Sequence, residues 1–304
     1  MIAILMMKST VLWLTLTAAG GLPPAQPRTA DADLQEILRG VSKGTVPVDS
    51  VRMETQCLDQ GRFLHAVAHG NGVVIWNDER QATLTREQVA SLIKAFDREG
   101  FAGMPSSFGG DDRDAVRMAI KMTCRVRFSA PGAAKDVIQL EKGDQSPGLH
   151  RLARAILDAA RVATQDAPAV ASLEEGLARV AAGRLAVETL RITMRVGAGS
   201  AGKADSRGWV LRVDGRDVEI DPDAGSKVTR RLDERSVRDF ARAFAENRFA
   251  TLPINLATRE YVDVTVAVLG QEHGVQAGRF AVSSAPEIES RFDRAIAPLL
   301  ALRH

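Results

Sequence analysis

Leu34, Ile37, Leu38 and Val41 share one face at helical spacing, with Asp33 placed to cap the helix and Gly44 to end it. At Val51 the period changes to two. Val51, Met53, Thr55 and Cys57 alternate with Arg52, Glu54 and Gln56, which predicts a strand with one buried face. Asn71-Gly72 then introduces a second strand, Val73–Trp76, answered further on by Arg207-Gly208 before Trp209–Val213. Thr85 and Gln88 form a capping box ahead of Val89, Leu92, Ile93 and Phe96, an amphipathic helix closed by Pro105. Val116, Met118, Ile120, Met122, Cys124, Val126 and Phe128 predict a long half-buried strand, matched later by Val262, Val264, Val266 and Val268. Val137–Leu140, or Gly278–Ser283, supplies a fourth strand, and a helix follows Pro147 or Pro286.

The pattern occurs twice. Leu34, Glu36, Leu38, Val41, Gly44, Val48 and Arg52 recur 139 positions later, without a gap. Leu84, Val89, Ala95, Phe96, Phe101, Ala102 and Pro105 recur at an offset of 148, and Arg151, Arg154, Ala155 and Ile156 at 140. The blocks keep their order, so the changing offset places insertions in loops, with Asp214–Ser226 lengthening the second copy. The expected fold class is α+β, a tandem duplication of an α-β-β-α-β-β-α module with antiparallel sheets and helices packed on one face. The divisions are a leader and Pro-rich tether at 1–30, a first repeat at 31–162, a linker at 163–171 and a second repeat at 172–304.

The run from Leu232 to Val237, Asn247-Arg-Phe-Ala-Thr-Leu-Pro253, the strand Tyr261–Leu269, Pro286-Glu-Ile and a Leu-rich last helix resemble the emfourin family. Its members are small bacterial protein inhibitors of thermolysin-like metallopeptidases. The likeness covers about Trp209–Leu302 and, more faintly, Val73–Ala160. It implies an α+β module and a peptidase as partner, and it assigns no inhibitory residue.

Val11–Ala19 is an apolar run after Lys8, with small residues at Ala18–Gly20, which predicts a cleaved signal peptide and a periplasmic or secreted protein. No stable membrane insertion is expected after cleavage. Lys and Arg number 40 against 38 Asp and Glu, and a net charge of +2 gives no field to gather nucleic acid. Aromatic residues make up 5% of the chain, with Tyr261 the single tyrosine, too few for a stacking platform.

Gly197-Ala-Gly-Ser-Ala-Gly202-Lys203 satisfies the dinucleotide fingerprint and follows a strand. A second strand follows it where a phosphate site needs a helix, so it reads as a connection between strands and no cofactor is expected. His65 and His69 lie four apart, two ligands without a third for zinc, and read as polar loop positions. Asp221–Gly225 and Gly109–Asp114 read as turns instead of calcium loops, and Ser200 lacks a nucleophile elbow.

Cys57 and Cys124 sit on inward strand faces, opposite Val196 and Val268 in the second copy, and an even count in an oxidising compartment points to a disulfide. Arg117, Lys121, Arg125 and Arg127 stripe the outward face of the long strand and would meet an anionic partner surface. No nucleophile, base and orienting acid assemble at a defensible spacing. The expected function is therefore an exported, non-enzymatic protein-binding protein, with a peptidase as one partner. The alternatives are a hydrolase or metal-dependent enzyme with its site between the repeats, and a structural component of the cell envelope.

Overall fold

A computed structural model describes residues 30–109, 122–141, 144–197, 208–222, 226–257, 261–278 and 285–303. The leader at 1–29, together with Arg117, Lys121 and Ser200, lies outside them. The first module contains α1 (Ala30–Ser42), β1 (Arg52–Asp59), β2 (Arg62–His69), β3 (Val73–Trp76), β4 (Arg80–Thr83), α2 (Arg86–Arg98), β5 (Ser107–Phe108), β6 (Met122–Ala130), β7 (Ala133–Leu140) and α3 (Pro147–Thr164). The second contains α4 (Leu173–Ala181), β8 (Leu190–Val196), β9 (Trp209–Asp214), β10 (Asp217–Pro222), β11 (Val228–Arg231), α5 (Glu234–Glu246), β12 (Asn255–Ala257), β13 (Val262–Val268), β14 (Gln271–Gly278) and α6 (Pro286–Leu300).

The two seven-stranded sheets have the same order, β4-β3-β2-β1-β6-β7-β5 and β11-β10-β9-β8-β13-β14-β12. Pairing is antiparallel except at β5–β7 and β12–β14, where the short edge strand runs parallel. In the first sheet, α3 crosses β1 to β4 and β6 while α1 packs on β7 and α2. Met53, Ala66, Ala68, Val74, Val126 and Phe128 meet those helices in a dry core. Amphipathic helices closing one face of a sheet bury the alternating residues of its strands, which is what the period-two runs require.

Local details also repeat. Phe96 and Phe101 stack edge to face at 4.9 Å and 81°, and Phe244 and Phe249 at 4.8 Å and 81°. Between the members of each pair the chain turns through a left-handed residue, Gly100 (φ 67°) in one copy and Arg248 (φ 52°) in the other. After β2 the amide of Gly70 donates to the Val51 carbonyl at 2.7 Å, and after β9 Gly215 donates to Leu190 at 2.9 Å. A side chain on Gly70 would start 1.6 Å from the Val48 carbonyl oxygen, so only glycine lets this corner close.

The predicted capping box is present, with the Thr85 hydroxyl accepting from the Gln88 amide and the Gln88 side chain accepting from the Thr85 amide. The first helix starts at Ala30, so Asp33 lies inside it and is not its cap. The helix after Pro147 runs through Thr164, two residues past the expected end of the first repeat at 162.

Among the described residues each module carries seven strands where the hydrophobic pattern shows four. The largest omission is β2. Ala66 and Ala68 face the helices while Val67 faces the other module, and burial on both faces erases the alternation that marks a strand. Sheet order therefore makes Trp209–Asp214 the counterpart of Arg62–His69, not of Val73–Trp76. Residues 217–222, taken from the sequence as part of an insertion, form β10, the equivalent of β3. The register of the long strand also differs from expectation. Val196 faces Val262, so the counterpart of Cys124 is Val262 and not Val268. A shift of six keeps every inward residue inward, which is why alternation alone does not detect it.

Candidate functional site

Strand alternation places Arg52 and Glu54 of β1, and His65, Val67 and His69 of β2, on the sheet face turned away from the helices. The second module lies against part of this face. Val67 and Ile75, directly opposite each other on β2 and β3, are 1% and 3% exposed and join the second module's hydrophobic core. Asn77 and Asp78, at the turn between β3 and β4, and Leu269 and Gly270, between β13 and β14, all have positive φ. A β-carbon on Gly270 would lie 3.3 Å from the Asp78 carbonyl oxygen, so the two tight turns abut. Leu269, a poor residue for this conformation, is 5% exposed, and its burial offsets the backbone cost.

Six charged side chains close a ring around this contact. Arg52 donates to Glu54 at 3.0 Å and to Asp214 across the seam. His65 Nε2 lies 3.3 Å from Glu54 and its Nδ1 3.0 Å from Asp78. Arg191 donates to Asp78 at 2.7 Å and lies 3.7 Å from Asp214, which completes the circuit with alternating sign. Arg52 and Arg191 are the same position in the two copies, and each reaches into the other module. Beside the ring, Asn71 donates to Glu188 at 2.8 Å, and Gln81 accepts from the Ala186 amide at 2.9 Å.

Two carboxylates facing both nitrogens of His65 select the imidazolium, since neutral imidazole has one N–H to give. Burial pulls its pKa down, but hydrogen bonds to Asp78 and Glu54 and their charges outweigh that and raise it to about 9. Burial likewise opposes ionisation of Glu54, yet the His65 hydrogen bond and the Arg52 charge hold it at about 2. Asp78 is also held at about 2, with His65 and then Arg191 overcoming its burial. His69, directly opposite Arg52, has no carboxylate of its own. Burial, and then the Arg52 charge, push it down to about 3, so it is neutral at pH 7.

Next to the ring a cleft of about 620 Å³ runs between the modules. Arg52, Arg127, Arg212, Arg230 and Arg231 line it, against Asp214, Asp217 and Glu219. The carboxylates are taken: Asp214 by Arg52, Glu219 by Arg212 at 2.7 Å, and Asp217 by Arg231 at 3.8 Å. Among the described residues Arg127 of β6 makes no salt bridge but stands directly across from Glu54, whose ionised form its charge favours, and Arg230 of β11 bonds only the neutral carbonyl of Leu302. Arg127 and Arg230, one from each module and neither in a salt bridge among the described residues, thus both line the cleft.

The predicted anionic-partner stripe divides. Arg127 lies in this cleft, whereas Arg125 is held by Asp136 on neighbouring β7. Cys57 and Cys124 face each other on β1 and β6 and are bonded, with their Cα atoms 4.0 Å apart. His65 and His69 are strand residues at the seam and not loop positions; among the described residues no three His, Cys, Asp or Glu side chains are arranged to hold a metal ion. The glycine-rich motif joins β8 to its antiparallel neighbour β9, with residues 198–207 outside the described set. Of the two acidic turns, Asp221 and Pro222 end β10, and 110–114 and 223–225 lie outside it. Among the described residues no helix is long and apolar enough to cross a membrane.

Sequence reasoning does not single out Arg230, Asp78 or Asp214. The recurrence of Arg52 at 191 is a signal for the crossed ion pairs, because an arginine on the face that a single module leaves to solvent has no packing reason to be repeated. Compared with known proteins, the chain matches no family model and no curated protein.

Proposed function

We propose that this chain is an exported, non-enzymatic binding protein whose partner is another protein, received at the cleft between the modules. The observation that carries this reading is the pair Arg127 and Arg230, two arginines that line one cleft from different modules and that no salt bridge holds among the described residues. The ion-pair ring and the Val67–Ile75 contact fix the two walls before a partner arrives, which lowers the ordering cost of binding. A strand-to-strand disulfide suits an oxidising compartment and supports export. Inhibition of a thermolysin-like metallopeptidase is the form of binding that the emfourin resemblance implies, and titrating the chain into such a peptidase assay tests that form.

The test of the general reading is affinity capture from the periplasmic and secreted fractions of the native culture, with the wild-type chain and the Arg127→Glu, Arg230→Glu double variant. A protein retained by wild type, released by salt and absent from the variant supports the reading. Equal recovery on both baits sinks it.

A further inference from the structure

The cleft follows a free strand edge. Thr229, Arg230 and Arg231 are consecutive in β11 and alternate in facing, yet all three line it, so the opening runs along the edge of the strand instead of over one face. Among the described residues β11 ends its sheet and pairs only with β10, and it exposes all four of its residues, Val228 by 52%. The equivalent strand of the first module is covered: Arg80 of β4 bonds the Gln165 carbonyl in the linker at 3.0 Å, and Gln81 holds the Ala186 amide. Its residues are half-buried except Thr83. β11 is tied by its side chains too, Arg231 donating to the Asp49 carbonyl of the other module at 3.3 Å and Arg230 to that of Leu302, but its four residues stay exposed where those of β4 are largely half-buried.

The wall facing β11 is the hairpin between β6 and β7, with Ser129, Pro131 and Gly132 at its tip and Arg127 on its flank. An unpaired strand edge offers backbone amides and carbonyls to another strand, and guanidiniums on either side select carboxylates among its side chains.

Building on the proposed protein-binding role, we infer that the partner enters as an extended acidic segment that adds to β11 as an eighth strand of the second sheet, with carboxylates meeting Arg127 and Arg230. Backbone pairing sets the direction and register of the segment, and the arginines set its composition. A polyanion without amides satisfies only the second requirement.

The experiment uses the purified full-length chain and fluorescence anisotropy with a labelled decapeptide of alternating valine and glutamate. The comparison probes are the same peptide with alternate backbone amides N-methylated, and polyacrylate of similar length as competitor. Thermal melting shows that each variant folds, with Arg127→Gln and Arg230→Gln as replacements should a charge reversal unfold the chain. The expected result is saturable binding of the parent peptide, weakened at least tenfold by N-methylation and at least tenfold by the double variant, with polyacrylate a poor competitor. Equal affinity for the methylated peptide, or displacement by polyacrylate at matched carboxylate concentration, overturns strand addition. Failure of the acidic peptide to bind, while a captured native partner still depends on Arg127 and Arg230, overturns the acidic-strand inference and leaves the protein-binding reading standing. Loss of that dependence removes both.

Discussion

Replacing His65 with glutamine isolates one member of the ring, because an amide of similar reach keeps a hydrogen bond to one carboxylate but carries no charge. In the folded chain the imidazole titrates at about 9 against an ordinary 6.5. At about 1.4 kcal/mol for each pH unit, that displacement corresponds to about 3 kcal/mol of stability. The side chain is 17% exposed, so solvent screening removes little of it. The depressed pKa values of Glu54 and Asp78 describe the same contacts from the other side and are not added. Because the folded pKa lies above the unfolded one, the contribution is complete below pH 6.5 and vanishes as pH rises through 9. Urea denaturation of wild type and His65→Gln at half-unit steps from pH 6 to 10 reads this directly. The gap in unfolding free energy should be about 3 kcal/mol at the acidic end and close to zero at the alkaline end. A gap that stays constant with pH would mean that His65 acts by packing alone, and the ionic account of the ring would be wrong.

His69 gives the opposite limb: folded near 3 and unfolded near 6.5, it costs stability as pH falls between those values, so His69→Asn should flatten the acid side of a melting-temperature profile from pH 7 to 4. Arg52→Ala leaves Glu54 and Asp214 facing each other with less cation between them and should destabilise the chain by about 3 kcal/mol in urea, with Arg52→Lys recovering only part of that. Val67→Asp puts an unpaired charge into the second module's core; a loss of about 3 kcal/mol and faster proteolysis between 165 and 172 should accompany it, whereas unchanged cleavage would show that the modules do not depend on this contact. Removing the Cys57–Cys124 link, which closes a sequence separation of 67, by double alanine substitution should cost about 3 kcal/mol, and reductant should destabilise wild type but not the variant.

The α+β class, the duplication and the helix positions are legible in the sequence because each rests on residues that bury one face against the chain's own helices. Thr85, Val89 and Phe96 announce α2, and their partners at 233, 237 and 244 announce α5, with Asp233 taking the place of threonine as the cap. β2 escapes that logic, since Val67 and Ile75 are apolar on the face that the single-module pattern assigns to solvent. β4 and β11 escape for a different reason: Arg-Gln-Ala-Thr and Val-Thr-Arg-Arg at sheet edges have no buried face to impose alternation. Half of the candidate site is visible in the same way. Arg127 stands out as a charge on a strand, but Arg230 and the carboxylates of the ring acquire meaning only when residues more than a hundred positions apart come together, as Arg191 and Asp78 do.

The crossed arginines have a consequence for assembly. Every bond that Arg52 and Arg191 make across the seam can be made equally well by halves from two different polypeptides, because the surfaces involved stay the same. What keeps the pairing within one chain is the reach of the short tether between Thr164 and Leu173. Shortening that tether while keeping Gln165 and Val170, which bond Arg80 and pack in the second core, should therefore yield an exchanged dimer, in which each half clasps its counterpart from a second copy with the crossed ion pairs unchanged.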